Sequence, residues 1–175
     1  MSRNTLVRSA ILVMILTASA GILLAHSSNH GGSTVFQTVL GPYEAIHASL
    51  ASDSLDGVAQ NAEKIRATAR EAAASFDADR AAVPQEKAGQ CKALLPKIEA
   101  AAARLAKATT LEEARTAFGE LSRPMVQWRE MSSATAKPKV VYCPMVKKPW
   151  LQESDQVANP YFGSKMLKCG NIVSN

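Results

Sequence analysis

At 175 residues and 18.6 kDa, the chain is long enough for one domain with a real core once a targeting segment is set aside. Aromatic residues are only 5% of it and alanine is abundant, a composition that suits closely packed helices better than a β-sandwich. The formal charge of +5 comes without clustered arginines or interleaved aromatics, so no nucleic-acid partner is expected.

Residues 1–25 read as an export signal. Arg3 and Arg8 supply a positive start, Ala10 to Ala25 is an unbroken weakly to strongly apolar run, and Ala18-Ser19-Ala20 offers a cleavage site of small residues. Ile22-Leu23-Leu24 continues past that site, so a retained anchor is the alternative, and only such an uncleaved segment would tie the chain to a membrane. Either way the remainder is expected to face an oxidising space, most simply a bacterial periplasm. Residues 26–33 form a polar, glycine-containing linker in which His26 and His30 read as solvated.

Residues 34–134 are expected to form an all-α, up-and-down four-helix bundle, because four amphipathic stripes are joined by short connections. The first stripe, over 34–51, carries Phe36, Val39, Leu40, Tyr43, Ile46, His47 and Leu50, with Gly41-Pro42 predicted to kink the helix or mark its true start. Asp53 is a candidate N-cap for a second helix, which ends near Ser75. A third helix carries Cys91, Leu94, Leu95, Ile98, Ala102 and Leu105, and Pro96 should bend it. Thr110 followed by Glu113 makes a capping box for the fourth helix, whose stripe runs through Phe118, Met125 and Trp128.

Helical periodicity stops at Ser132-Ser133, and residues 135–175 read as an irregular C-terminal lobe packed on the bundle. Val140-Val141-Tyr142 is a short strand, and Ile172-Val173 is its candidate partner in a two-stranded ribbon. Between them the prolines at 144, 149 and 160 and Gly163 mark an irregular loop. A loop that long is uncommon without a function or a tie. The basic excess is concentrated here: residues 137–175 hold six lysines and two acids, or +4, whereas residues 21–136 hold 12 basic against 13 acidic groups, or −1.

Four sulfur-bearing residues stand in this lobe as Cys143-x-Met145 and Met166-x-x-Cys169. Two residues apart on an extended segment, or three apart on a helical turn, both side chains of a pair point one way. Thiolate and thioether are soft ligands that favour Cu(I), with Ag(I) as a further soft ion, while the mixture of Cys and Met argues against a structural zinc site. The rival is a Cys143–Cys169 disulfide. Closing a loop of about 27 residues would contribute about 3.5 kcal/mol, and the methionines would then be packing only. Free structural thiols are the third option. Cys91, in a helical pattern, reads as a small buried residue. Trp150, Tyr161 and Phe162 are expected to pin the lobe to the bundle.

No nucleophile elbow, phosphate loop or haem attachment motif is present, and His47 is the one histidine of the folded region, so no catalytic residues are assigned and the chain is read as no enzyme.

Tyr142-Cys143-Pro144-Met145, Trp150-Leu151-Gln152 and the run from Asn159 through Gly170 resemble a helical domain family of unknown function. Its members occur as short exported proteins and as a domain appended to periplasmic adaptor subunits of copper/silver efflux pumps of the RND class. The resemblance covers roughly Phe36 to Val173. It implies a helical bundle with a Cys/Met lobe, a role in heavy-metal buffering, tolerance or delivery to an efflux or copper-handling partner, and the ligand set Cys143, Met145, Met166 and Cys169. The chain shows neither the long helical hairpin nor the lipoyl-like half of an adaptor body, so it is not expected to be the adaptor itself.

Overall fold

Thr34 opens the first helix with a reciprocal cap. Its hydroxyl accepts from the Gln37 amide at 3.3 Å, and the Gln37 side chain accepts from the Thr34 amide at 3.0 Å. The computed structural model of the chain describes residues 33–174. The expected export segment, and all but the last residue of the expected linker, lie outside the described residues.

Five helices follow one another: α1 (Val35–Ala51), α2 (Val58–Ala74), α3 (Ala88–Lys92), α4 (Leu95–Leu105) and α5 (Leu111–Met131). Helix α1 continues through Pro42, so the proline neither starts nor ends it. Helix α2 begins at Val58, not beside Asp53, because the chain first makes a turn in which Asp53 takes a left-handed φ of 56°. Its buried stripe of Val58, Ala62, Ile65 and Ala69 is narrow and small, which lets α4 approach closely with Ile98, Ala101, Ala102 and Leu105.

The single third helix expected over this region is two helices. α3 ends at Lys92, and α4 restarts at Leu95 with Pro96 in its first turn, where a missing amide donor costs nothing because it would have no helical acceptor. Helix α5 has the predicted Thr110–Glu113 capping box and continues through Pro124 to Met131. Its buried face carries Phe118, Leu121, Met125 and Trp128. The Trp128 indole N–H donates to the Ala81 carbonyl at 3.0 Å, and its ring meets Phe36 edge-on.

The lobe is more regular than a ribbon and a loop. It holds a three-stranded antiparallel sheet of β1 (Lys139–Cys143), β2 (Lys148–Gln152) and β3 (Asn171–Ser174), in the order β2-β1-β3. The strands at 140–142 and 172–173 are where the sequence placed them, and β2 was missed. Pro149 sits on this edge strand opposite Tyr142, where the ladder does not need its absent donor. Val141 is opposite Trp150 on one side and Ile172 on the other, and Val141, Trp150 and Leu151 are fully buried.

Strand β2 packs on α5. At the crossing, Lys148 lies over Gly119, where any Cβ would collide with the lysine stem. The Tyr43 hydroxyl pairs with Ser122 at 2.6 Å and accepts from the Leu151 amide at 3.1 Å, so α1, α5 and β2 share one buried oxygen. Helices and lobe belong to the same compact unit, Gly32–Asn175. Among the described residues no helix is long and apolar enough to cross a membrane.

Candidate metal centre

Cys143 closes β1 and Cys169 immediately precedes Gly170 and β3, so pairing of those two strands brings the thiols together. Their sulfur atoms stand 3.9 Å apart and are not bonded. Cys143 is fully buried and Cys169 is half-buried. A soft ion bound to two sulfurs at about 2.3 Å each sets them about 3.8 Å apart at a tetrahedral angle, whereas a disulfide requires about 2.05 Å. The separation suits a shared ion without rearrangement.

Asn159 organises both cysteine segments from a fully buried position. Its amide nitrogen donates to the Cys169 carbonyl at 2.5 Å, and the same side chain acts to lower the Cys143 pKa. Its side-chain oxygen accepts from the amides of Tyr161 at 2.8 Å and Phe162 at 3.2 Å, and its backbone amide donates to Leu167 O at 2.7 Å. The segment from 159 to 169 is thus folded around one side chain. Sequence reasoning overlooked it; Asn-Pro at 159–160 is a turn signal, but nothing in that signal announces contacts to sulfur.

Burial is the largest single influence on Cys143 and acts to raise its pKa. Donors from the Val146 amide, the Asn159 side chain, the Met145 amide and the Cys169 thiol together overcome it and hold Cys143 below the ordinary thiol value. Cys169 moves the other way, raised by burial, then by its hydrogen bond to Cys143 and by the charge developing there. The two thiols are therefore driven in opposite directions, the arrangement expected when two acids sit this close. Cys91, in α3, is remote from this pair in role: burial alone pushes it up to about 11.

The two methionines flank the pair in the chain but expose their side chains. Met145 lies in the β1–β2 turn at 64% exposure, and Met166 ends a short 3₁₀ turn (Gly163–Met166) at 37%. Among the described residues no group of three His, Cys, Asp or Glu side chains converges here or elsewhere. The donor set on offer is two thiols with two thioethers at the surface, which fits a soft ion and offers no nitrogen or oxygen ligand for a harder one.

The remaining singled-out residues are structural. The His47 ring lies between Phe118 and Trp150, and its Nε2 pairs with the Ala158 carbonyl at 2.7 Å. Met125 is fully buried. Trp150 and Tyr161 meet edge-on with centroids 5.9 Å apart and pin the lobe to the helices as expected; Trp150 also backs Gly170, beside Cys169, so closely that no Cβ would fit there.

Asp53, expected as a helix cap, instead receives Arg115 at 2.5 Å and the Ser164 amide at 2.9 Å. Arg115 also donates to the carbonyls of Pro160 and Leu50, both at 3.0 Å. The turn after α1, helix α5 and the cysteine-bearing segment are joined at this point.

Compared with known proteins, residues 39–137 match the family described as "Protein of unknown function (DUF3347)". That match covers α2 to α5 and most of α1, and stops short of Cys143. No curated protein and no solved structure matches the chain.

Proposed function

The chain belongs to the DUF3347 family of proteins of unknown function, and we propose that this member binds Cu(I), or Ag(I) in its place, through the thiols of Cys143 and Cys169. The observation that carries this is the 3.9 Å gap between the two sulfurs, which no disulfide closes; donors around Cys143 also lower its pKa. Met145 and Met166 add thioether ligands at the surface, where an arriving ion meets them first. On this reading the chain buffers copper, or delivers it to an efflux or copper-handling partner, in the periplasm after export by residues 1–25. It performs no catalysis. The four long helices, read as an up-and-down bundle from the ring of contacts α1–α2, α2–α4, α4–α5 and α5–α1, serve as the base that holds the sheet.

Binding requires thiol deprotonation, so affinity should fall as the medium is acidified. The deciding experiment is competition for Cu(I) against a colorimetric chelator. Wild type should win the ion, Cys143→Ser and Cys169→Ser should each lose tight binding, and Met145→Leu should weaken it. Equal competition by wild type and the Cys variants refutes the assignment. Thiol counting on the metal-free exported protein tests the disulfide alternative, because a staple leaves Cys91 as the one free thiol.

A further inference from the structure

We propose that the surface around the sulfur pair is a docking face for an acidic partner protein that presents its own sulfur ligands. The chemistry of the cargo rests on the soft-metal reading above; the docking face itself rests on separate observations.

Cys143 is fully buried and Cys169 half-buried, so a large partner cannot reach both thiols directly. It can reach the methionines. Among the described residues the exposed large apolar side chains are Met145, Met166 and Val173, and two of those three flank the pair. Methionine is flexible and polarizable, the side chain used where a surface must adapt to another molecule.

Lysines flank these thioethers in the chain and form the basic collar of the proposed face. Lys147, Lys165 and Lys168 are exposed, and each lies within five residues of Cys143 or Cys169 in the chain. None of them forms an ion pair among the described residues, whereas Lys139 of the same lobe is paired with Asp155. Lys148 and Lys165 further line a groove with Val146, Tyr161 and Phe162, and Glu112 is the one carboxylate along it. Lobe residues 137–175 carry +4, against −1 for residues 21–136, so the basic excess lies in the lobe that bears the sulfurs. Such a field steers an acidic surface to this end and accelerates encounter. In transfer the ion keeps its +1 charge; each bond to Cys143 or Cys169 that breaks is replaced by one to a partner sulfur, and the released thiolates take up protons from solvent.

The test uses the full metal-free chain and two synthetic peptides with a Met-x-x-Met core, one flanked by glutamates and one by lysines. Binding is followed by Trp fluorescence, at low and high salt. The acidic peptide should bind and the basic one should not, and binding should weaken by about tenfold or more as salt screens the collar. The triple variant Lys147→Glu/Lys165→Glu/Lys168→Glu should lose the acidic peptide yet match wild type in Cu(I) competition against the chelator. Equal binding of both peptides, or undiminished binding by the triple variant, overturns the docking face. So does binding to phosphatidylglycerol vesicles with none to the acidic peptide, which would make the collar a membrane contact. A protein that binds the metal-free acidic peptide but shows no affinity for Cu(I) supports the docking face and defeats the metal reading alone.

Discussion

The Asp53 carboxylate and the Arg115 guanidinium meet at 2.5 Å across 62 residues of sequence, and the amide of Ser164 completes the junction from the lobe at 2.9 Å. Hydrogen bonds from Ser164 and then from Arg115 hold the Asp53 carboxyl well below the usual carboxylate range. A group with a depressed folded pKa adds stability above its unfolded value, near 4, and that stability is lost as pH falls through the folded value. Asp53→Asn keeps a side chain that tolerates left-handed backbone but removes the charge. It should destabilise the protein at pH 7 and have progressively less effect below about pH 4, as measured by urea unfolding across that range. An equal destabilisation at pH 7 and pH 3 would show that the charge contributes nothing.

Gly163 takes a left-handed φ of 57°, and any Cβ there would run into the Asp53 carboxylate and Arg115. Gly163→Ala should therefore lose about 1–3 kcal/mol from backbone strain, before any displacement of the ion pair. Urea midpoints measure the loss, and helical circular dichroism at zero denaturant should stay unchanged.

The three thiols should not titrate alike. Followed by ultraviolet thiolate absorbance, Cys143 should ionise below the ordinary thiol value, Cys169 above it and Cys91 near 11. Cys143→Ser should remove the earliest step and allow Cys169 to titrate lower, because the neighbouring charge that opposes its ionisation is gone. A first step that survives in Cys143→Ser assigns it to another group.

Asn159→Ala leaves the Cys169 carbonyl and the amides of Tyr161 and Phe162 without their side-chain partner. Each orphaned buried group costs about 1–3 kcal/mol, so the lobe should loosen while the helices persist. The same variant should raise the Cys143 pKa, because a donor to its sulfur is lost. Comparing backbone amide exchange in the two parts of the chain separates local loosening from global loss.

Trp150→Ala should destabilise the fold by about 3–5 kcal/mol, the usual range for emptying a large buried aromatic site. Trp150 is fully buried, stacks near His47 and backs Gly170. On the proposed Cu(I) reading, the change should weaken retention of the ion more than an equally destabilising helix change such as Leu105→Ala, which empties a core site on α4.

Much of this was legible in the chain because the signals were local. The Thr110–Glu113 box and the stripes of α1, α2 and α5 depend on residues within a turn or two of each other, as do the β-branched strands at 140–142 and 172–173. Pro96 was read as a bend because its position in an apolar stripe looked internal; only the break at Ala93-Leu94 turned it into a first-turn proline. Strand β2 was hidden by Pro149, a residue that demotes a strand unless the segment is known to be an edge. Asp53 carried a cap signal and a turn signal at once, and tertiary pairing with Arg115 decided between them. The pairing of Cys143 with Cys169 followed from composition, but the role of Asn159 depends on a turn bringing residues 159 and 169 together, which no short-range pattern encodes.

The sheet order β2-β1-β3 puts the two thiols on different attachments. Cys143 ends the central strand, which the β2 hairpin holds from one side, whereas Cys169 leads into β3 on the opposite edge. Peeling that edge strand away would part the sulfurs and leave the hairpin intact, so the pair can be no more durable than the β1–β3 ladder.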